Sequence, residues 1–140
     1  MKTKLEQIEP YKSLAFSESA ASPDEVTMTV PLAGNRNDKG TVFGGSIYSA
    51  MVLAAWRLCE ERAAAQGWRG DVFVKDSSIS YLRPAWSDMR VRARLDAPPA
   101  ATRRGNIAFD ASIEAVDANG KVCARMQASF RLLDEKRNDA

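Results

Sequence analysis

Apolar and polar residues alternate through most of the second half of the chain. Three stretches have this two-residue period, at residues 89–95, 107–115 and 122–132, and residues 72–82 also predict a strand. Such alternation is typical of antiparallel strands with one buried and one solvated face. Residues 117–120, Asp-Ala-Asn-Gly, predict a hairpin turn between the last two strands. The second half of the chain is therefore expected to form an antiparallel sheet.

The first half of the chain has a more mixed pattern. Residues 5–14 predict a short helix interrupted at Pro10, and residues 14–19 predict a strand. A second strand is expected at residues 26–32. It ends at Pro31 or lies at an edge of the sheet, because proline has no N–H group to donate to a β-ladder.

Residues 46–65 contain almost no helix breakers and predict one long helix. Its first turns are apolar on nearly every side, which is typical of a buried helix. The pattern therefore predicts an α+β fold, in which a curved antiparallel sheet wraps around one long central helix. One curved sheet covers only part of such a helix. We therefore expect a second subunit to cover the rest of the helix. The assembly is expected to be a homodimer with sites at its interface, or a tetramer formed by two such dimers.

Length and composition narrow the class of protein. The chain has 140 residues, which suits a single domain spanning residues 1–140. Its formal net charge is only +2, so nucleic acid is not an expected partner. The two cysteines, Cys59 and Cys123, lack metal-ligand spacing and are predicted to be reduced, partly buried thiols. No metal and no cofactor are expected.

The N-terminal sequence is polar, and no apolar stretch follows it, so no signal peptide is expected. No segment reaches the roughly 18 consecutive apolar residues of a membrane helix. These features predict a cytoplasmic protein with no membrane partner.

The chain contains no histidine. Histidine is the commonest general acid or base, the usual partner of a serine or cysteine nucleophile, and the commonest metal ligand. Any chemistry must therefore depend on carboxylates, amides, hydroxyls, backbone dipoles and bound water.

A polar loop at residues 33–43 leads into Gly44 and Gly45 at the start of the predicted helix. The first N–H groups of a helix lack intrahelical partners and carry partial positive charge. Because glycine has no side chain, a thioester carbonyl or an oxyanion can approach this backbone closely. The amide of Asn37 can position a water molecule or the thioester. The alternative interpretation is a loop whose Asn and Asp side chains only cap the helix.

The same segment carries the motif Asn37-x-x-Gly40-x-x-Phe43-Gly44-Gly45, followed by the apolar helix. This motif resembles that of the hotdog-fold thioesterases. The longer segments 31–46 and 79–85 resemble one thioesterase family in particular, whose domain also occurs fused behind an acetyltransferase domain. The resemblance covers about residues 26–132. It implies a hotdog fold and hydrolysis of an acyl-CoA or acyl-carrier-protein thioester.

Three positions depart from the pattern of related thioesterases. Many of them have His where this chain has Phe43, and many have a carboxylate where it has Val52. The hydroxybenzoyl-CoA thioesterase type has its carboxylate at the position of Asn37. Since these groups are absent, a non-catalytic acyl-binding or CoA-binding hotdog module is the alternative function.

Two acids are candidate general bases. Asp38 follows Asn37 in the loop, and its alternative role is that of a turn-forming or capping acid. Asp76 shares its alternation phase with Val72 and Val74, which predicts a carboxylate entering a cleft or interface, where burial would raise its pKa. A hydrogen-bonded interface residue is the alternative for Asp76.

Other side chains are candidates for substrate binding. Within the matching motifs these are Phe43, Ser46 and Tyr81. Cations that can bind the phosphates of CoA, or alternatively lie in solvated loops, are Lys39, Arg83, Lys75, Arg103 and Arg104. The arginines in the outward rows of the strands are predicted instead to pair with Asp110 and Glu114 across the sheet; they are Arg90, Arg92, Arg94, Arg125 and Arg131.

Overall fold

The structure, a computed structural model, describes residues 4–133. The first three and the last seven residues of the predicted 1–140 domain lie outside this part. The helices are α1 (Glu9–Ser13), which follows a 3₁₀ turn at Leu5–Gln7, and α2 (Gly44–Ala65). The strands are β1 (Ser17–Ala21), β2 (Val26–Val30), β3 (Asp71–Tyr81), β4 (Met89–Leu95), β5 (Ala100–Ala101), β6 (Ile107–Val116) and β7 (Val122–Leu133).

All seven strands form one antiparallel sheet in the order β1-β2-β4-β6-β7-β3, and the short β5 pairs with β6. The sheet packs against the single long helix α2, which contacts β2, β3, β4, β6 and β7. This confirms the predicted α+β architecture, a curved antiparallel sheet around one central helix. Only the two-residue strand β5 is absent from the sequence prediction, because two residues carry no readable alternation.

Helix α2 supplies one side of the core. Ala50, Met51 and Leu58 are fully buried against the sheet, which contributes Phe109 and Phe130. A helix apolar on nearly every side is only partly covered, as the sequence predicts. A stripe along the helix remains exposed or half-buried, and its members are Gly45, Tyr48, Ser49, Val52 and Trp56.

The N-terminal prediction is only partly right. The helix predicted at residues 5–14 is divided between the 3₁₀ turn and α1, with Pro10 in its first turn, where no N–H group is required. The strand predicted at residues 14–19 is misplaced, since β1 begins at Ser17. The reason is the left-handed backbone of Ala15, whose φ of 59° interrupts any extended segment there.

Strand β3 lies at an edge of the sheet and pairs with β7. Its pairing contains a β-bulge, since Val74 lies opposite Phe130 whereas Asp76 lies opposite Ser129. The extra residue, Lys75, shifts the alternation by one position. The predicted common row of Asp76 with Val72 and Val74 is therefore wrong, and Asp76 lies on the outer face of the sheet, away from α2.

The predicted cross-strand pairing of the outward arginines is confirmed at Glu114. Its carboxylate lies 3.7 Å from both Arg92 Nη2 and Arg125 Nε. The prediction is wrong for Arg94, which pairs with Glu25 at 2.9 Å across a longer separation in sequence. These pairs are exposed, so each contributes little to stability.

Cys59 and Cys123 are free thiols, as predicted. Both are fully buried, whereas the sequence predicts partial burial. Within residues 4–133, no helix combines the length and the apolar character needed to cross a membrane.

Candidate functional site at the start of the long helix

The loop before α2 is tied down at its base by Asn35. This side chain is only 2% exposed, and its Nδ2 donates hydrogen bonds to Leu14 O (2.8 Å) and Pro31 O (2.9 Å). Its backbone oxygen accepts a hydrogen bond from Phe43 N at 2.7 Å. Asn35 therefore fixes where the loop begins and where the helix starts.

Asn37 uses most of its side-chain amide within the loop. Its Oδ1 accepts hydrogen bonds from the backbone N–H groups of Lys39 (3.0 Å) and Thr41 (3.1 Å), and its Nδ2 donates to Thr41 Oγ1 (2.7 Å). These contacts give Asn37 the turn-forming role that the sequence leaves as an alternative. One Nδ2 hydrogen has no acceptor among residues 4–133 and is available to a water molecule or substrate.

Asp38 and Lys39 lie at the tip of this loop. Lys39 Nζ is 3.1 Å from Asp38 Oδ1, and the two side chains are 73% and 80% exposed. Gly40 closes the tip with a φ of 87°, a conformation that favours glycine. The structure thus places the candidate base Asp38 on the same loop as Asn37, in a solvated ion pair.

The start of α2 presents two N–H groups. Phe43 is the N-cap residue, and its carbonyl accepts hydrogen bonds from Ser46 N (3.0 Å) and Ile47 N (3.1 Å). The N–H groups of Gly44 and Gly45 have no acceptor in the described part of the chain. Because the dipole of a long helix adds partial positive charge here, this end of α2 is suited to a developing negative charge on oxygen.

Aromatic rings lie against both glycines. A Cβ atom on Gly45 would lie 2.4 Å from the ring of Phe43, and one on Gly44 would lie 3.3 Å from the ring of Tyr81. Phe43 is 55% exposed and Tyr81 52% exposed. The helix start is therefore lined by apolar rings that face solvent in a single copy of the chain. Ser46, the other predicted substrate-binding residue here, is buried.

Tyr81 also makes a polar contact with the helix start. Its hydroxyl donates a 2.7 Å hydrogen bond to Gly44 O. Burial, and secondarily the nearby Tyr48 phenol, raises the pKa of Tyr81 above its ordinary value of 10.0. The Tyr81 hydroxyl is therefore protonated at neutral pH and able to donate.

Tyr48 and Ser77 belong to this site although the sequence reasoning did not single them out. The Tyr48 hydroxyl and Ser77 Oγ are 2.5 Å apart. Tyr48 could have been found from the helical period, because it lies on the face of α2 that carries Gly44 and Gly45. Ser77 could not, because the bulge in β3 decides which face it occupies.

The candidate cations do not converge on the helix start. Lys75, Arg103 and Arg104 line a separate groove. Arg83 lies near the β6–β7 turn, where the pKa of Asp117 is lowered mainly by backbone hydrogen bonds and to a smaller extent by the Arg83 charge.

Neither cysteine is an activated nucleophile. Burial, followed by the charge of Glu60, raises the pKa of Cys59, and burial, followed by Asp117, raises that of Cys123. Both thiols are protonated at neutral pH, whereas a reactive cysteine requires the thiolate. Among residues 4–133, no three His, Cys, Asp or Glu side chains are grouped as metal ligands.

Solved structures with the same fold include several proteins described as thioesterases. A protein of Shewanella oneidensis described as a "putative thioesterase" is 24% identical, with a TM-score of 0.80 over 91% of this chain and 89% of that one. A Pseudomonas aeruginosa protein described as a "Probable Thioesterase" is 26% identical, with a TM-score of 0.76 over 91% and 89%. A Haemophilus influenzae thioesterase is 17% identical, with a TM-score of 0.73 over 96% and 92%. A comparison with curated protein sequences found no significant match.

A family model described as "Putative thioesterase (yiiD_Cterm)" matches residues 5–134, which is nearly the whole chain. The predicted resemblance to a hotdog-fold thioesterase family is thereby confirmed. The chain belongs to this yiiD_Cterm thioesterase family.

Proposed function

We propose that the protein hydrolyses an acyl thioester, carried by CoA or by an acyl carrier protein, at the start of α2. The observation that carries this proposal is the pair of unpaired N–H groups at Gly44 and Gly45 beside exposed aromatic rings. Membership of a thioesterase family supports the same reaction.

In the proposed reaction, water adds to the thioester carbonyl carbon and the carbonyl oxygen becomes an oxyanion. The N–H groups of Gly44 and Gly45 donate hydrogen bonds to that oxygen, and the helix dipole adds to the stabilisation. Collapse of the intermediate breaks the C–S bond and releases a carboxylic acid and a thiol. A fixed donor of this kind is worth roughly 100- to 1,000-fold in rate.

Tyr81 acts on one of these donors through the backbone. Its hydroxyl donates to the oxygen of the Gly44–Gly45 peptide unit, and the N–H group of that unit belongs to Gly45. A hydrogen bond to a peptide oxygen polarises the unit and strengthens its N–H as a donor. We assign Tyr81 as a positioning residue that orients and polarises the Gly45 donor, while its ring provides apolar surface for the acyl chain.

Asn37 and Asp38 supply the polar groups on the other side of the thioester. The remaining Nδ2 hydrogen of Asn37 orients the water or the substrate. Asp38 accepts a proton from the attacking water and returns it to the departing thiolate. Asp38 is favoured over Asp76 as the base because it belongs to the loop of Asn37, whereas Asp76 lies on the outer face of β3.

A second copy of the chain completes the site in this proposal. Strand β3 has a free edge, and exposed apolar side chains cluster on it and around the helix start, namely Phe43, Tyr48, Phe73, Val74, Tyr81, Leu82 and Trp86. A long edge strand with apolar side chains is a template for pairing with another chain. We expect light scattering at micromolar concentration to give a dimer or a tetramer, and a monomer contradicts this part of the proposal.

A cytoplasmic location is part of the proposal. Two buried cysteines that remain free suit a reducing compartment, which is also where disulfides are rare.

Steady-state hydrolysis of a series of acyl-CoA thioesters, from short to long chains, tests the proposed activity. We expect turnover well above spontaneous hydrolysis for at least one chain length. The competing function is a non-catalytic acyl-binding or CoA-binding module, which is favoured by the absence of histidine and by Val52 at the usual carboxylate position. If calorimetry shows that the protein binds acyl-CoA but the assay shows no hydrolysis, the protein is a binding module.

A further inference from the structure

A groove of about 440 Å³ lies apart from the helix start. It is lined by residues from three parts of the sheet, namely Lys75, Thr102, Arg103, Arg104, Asn106 and Arg131. Four of these six residues are cationic. We call it the basic groove.

The backbone holds these cations at one place. Lys75 is the extra residue of the bulge in β3, and a bulge re-aims the side chain that it carries. The turn after β5 is closed by hydrogen bonds from Thr102 N to Asn106 O (2.8 Å) and from Asn106 N to Thr102 Oγ1 (3.2 Å). Arg103 and Arg104 lie at the tip of this turn. The groove is therefore built by a bulge and a closed turn that meet across the sheet.

The cations of the basic groove have no acidic partner in the part of the chain that the structure describes. Within residues 4–133, the side chains of Lys75, Arg103 and Arg104 make no ion pair and no hydrogen bond, and Arg131 donates only to Phe130 O (2.9 Å). Five other arginines pair with acids, namely Arg57, Arg62, Arg92, Arg94 and Arg125. Single arginines elsewhere on the described surface also lack an ion pair, and what distinguishes the basic groove is that four unpaired cations line one concavity. Because like charges repel, four unpaired cations in one groove favour an anionic ligand.

We propose that the basic groove binds the phosphates of a CoA nucleotide, the 3′-phosphorylated ADP end of the molecule. This inference rests on the proposed function and names CoA as the carrier of the acyl group. Arginine guanidinium groups bind phosphate with paired, charge-assisted hydrogen bonds, and the free amide of Asn106 adds a neutral donor.

The shape of the groove favours a compact phosphate over an acidic carrier protein. The cations converge in a concavity, whereas a carrier protein needs a broad basic face. The outer-sheet arginines Arg92 and Arg125 do not extend such a face, because both are paired with Glu114.

The test compares Arg103→Ala/Arg104→Ala with the wild type. The control is Lys12→Ala/Arg69→Ala, which removes the same charge at two exposed positions that do not line the groove. Calorimetry measures the affinity for 3′,5′-ADP, which contains no thioester. We expect the groove variant to bind at least about tenfold more weakly, the control to bind like the wild type, and both to keep the wild-type Tm because all four side chains are exposed.

Kinetics then identify the source of the phosphate. With acyl-CoA as substrate, we expect the groove variant to have a higher KM than the wild type and nearly the same kcat. With the acyl-pantetheine thioester of the same acyl chain, which lacks the nucleotide, we expect the groove variant and the wild type to have the same kinetics. Equal 3′,5′-ADP affinity in the variant and the wild type, or no binding to either, overturns the proposal. The proposal is also overturned if the groove variant loses activity only with acyl-carrier-protein substrates, or loses it equally with acyl-CoA and acyl-pantetheine.

The binding measurement separates this inference from the proposed function. A protein that binds 3′,5′-ADP in the groove but hydrolyses nothing refutes the hydrolase and leaves the nucleotide site in place. A hydrolase whose 3′,5′-ADP affinity is independent of Arg103 and Arg104 refutes only the nucleotide site.

Discussion

Two positions on strand β3 present different chemistry. At the last residue of the strand, Tyr81 donates to Gly44 O beside peptide N–H groups that have no acceptor within residues 4–133, without a charged side chain in the contact. Near the middle of the strand, the bulged Lys75 joins three arginines in the basic groove. With about 3.3 Å per residue, these two positions lie roughly 20 Å apart along the strand.

The difference matches the two parts of a CoA thioester. A thioester carbonyl is neutral until the transition state, so oriented dipoles stabilise its developing charge without a large cost in the ground state. Phosphates are charged throughout and bind best to fixed cations. In the proposed function, one edge strand therefore serves both the reacting group, at Tyr81, and its carrier, at the bulged Lys75.

The largest expected effect comes from blocking the neutral end. Gly45→Val places a branched side chain over the proposed oxyanion donors, where even a Cβ would meet the Phe43 ring at 2.4 Å. We expect kcat/KM to fall roughly 100- to 1,000-fold. Ser49→Thr is the matched control, since it adds a branch one turn further along the same open stripe of α2 and keeps the hydroxyl that donates to Gly45 O. Activity in Gly45→Val close to that of the control would remove the helix start from the mechanism, provided that both proteins keep the wild-type Tm.

The next effect concerns the loop that faces this end. Asn37→Ala removes the remaining Nδ2 donor together with the contacts to Lys39 and Thr41, and we expect kcat/KM to fall by roughly 100-fold. Thr41→Val is the control, because it removes only the Oγ1 partner inside the loop. If Thr41→Val loses as much activity as Asn37→Ala, or a folded Asn37→Ala protein is nearly fully active, Asn37 is a turn former alone.

A matched pair of acid variants tests the base. We expect Asp38→Asn to lower kcat/KM by about 100-fold, the lower end of the range for general-base catalysis, and Asp76→Asn to change it less than about twofold. Both acids lie on the surface, so their Tm values should match the wild type. The reverse order would make Asp76 the base, and wild-type activity in both would exclude both.

The smallest expected effect sharpens the role of Tyr81. Tyr81→Phe keeps the ring but loses the hydrogen bond to Gly44 O, and we expect kcat to fall roughly threefold to tenfold with KM unchanged. Tyr48→Phe removes a phenol that contacts Ser77 instead, and it should leave kcat near the wild-type value. A rise in KM with unchanged kcat in Tyr81→Phe would make Tyr81 a substrate contact and not a positioning residue.

The same hydroxyl predicts a dependence of stability on pH. Because the pKa of Tyr81 is raised in the folded protein, its neutral form stabilises the fold at every pH below the ordinary pKa of 10.0. This contribution is lost as pH rises through the higher folded pKa, where ionisation removes the donor to Gly44 O. Denaturant unfolding above pH 10 should therefore show a steeper loss of stability in the wild type than in Tyr81→Phe.

Much of the fold follows from local patterns in the sequence. The two-residue alternation predicts β4 with its observed bounds, and β6 and β7 within one residue. The uninterrupted apolar segment predicts α2, and the motif around Gly44 and Gly45 places the candidate site at its start. These features are local, because each depends on residues within a few positions of one another.

Register and long-range contacts were decided only by the tertiary structure. One extra residue at Lys75 turned Asp76 to the outer face, and a period-two reading cannot detect such an insertion. The contact of Tyr81 with Gly44 joins residues 37 positions apart, and the basic groove joins three separate segments. The sequence by itself determined the long helix, the long strands, the family and the loop-helix motif. Which side chains meet across the sheet depended on strand register and on the packing of α2, because these arise from contacts between residues far apart in the chain.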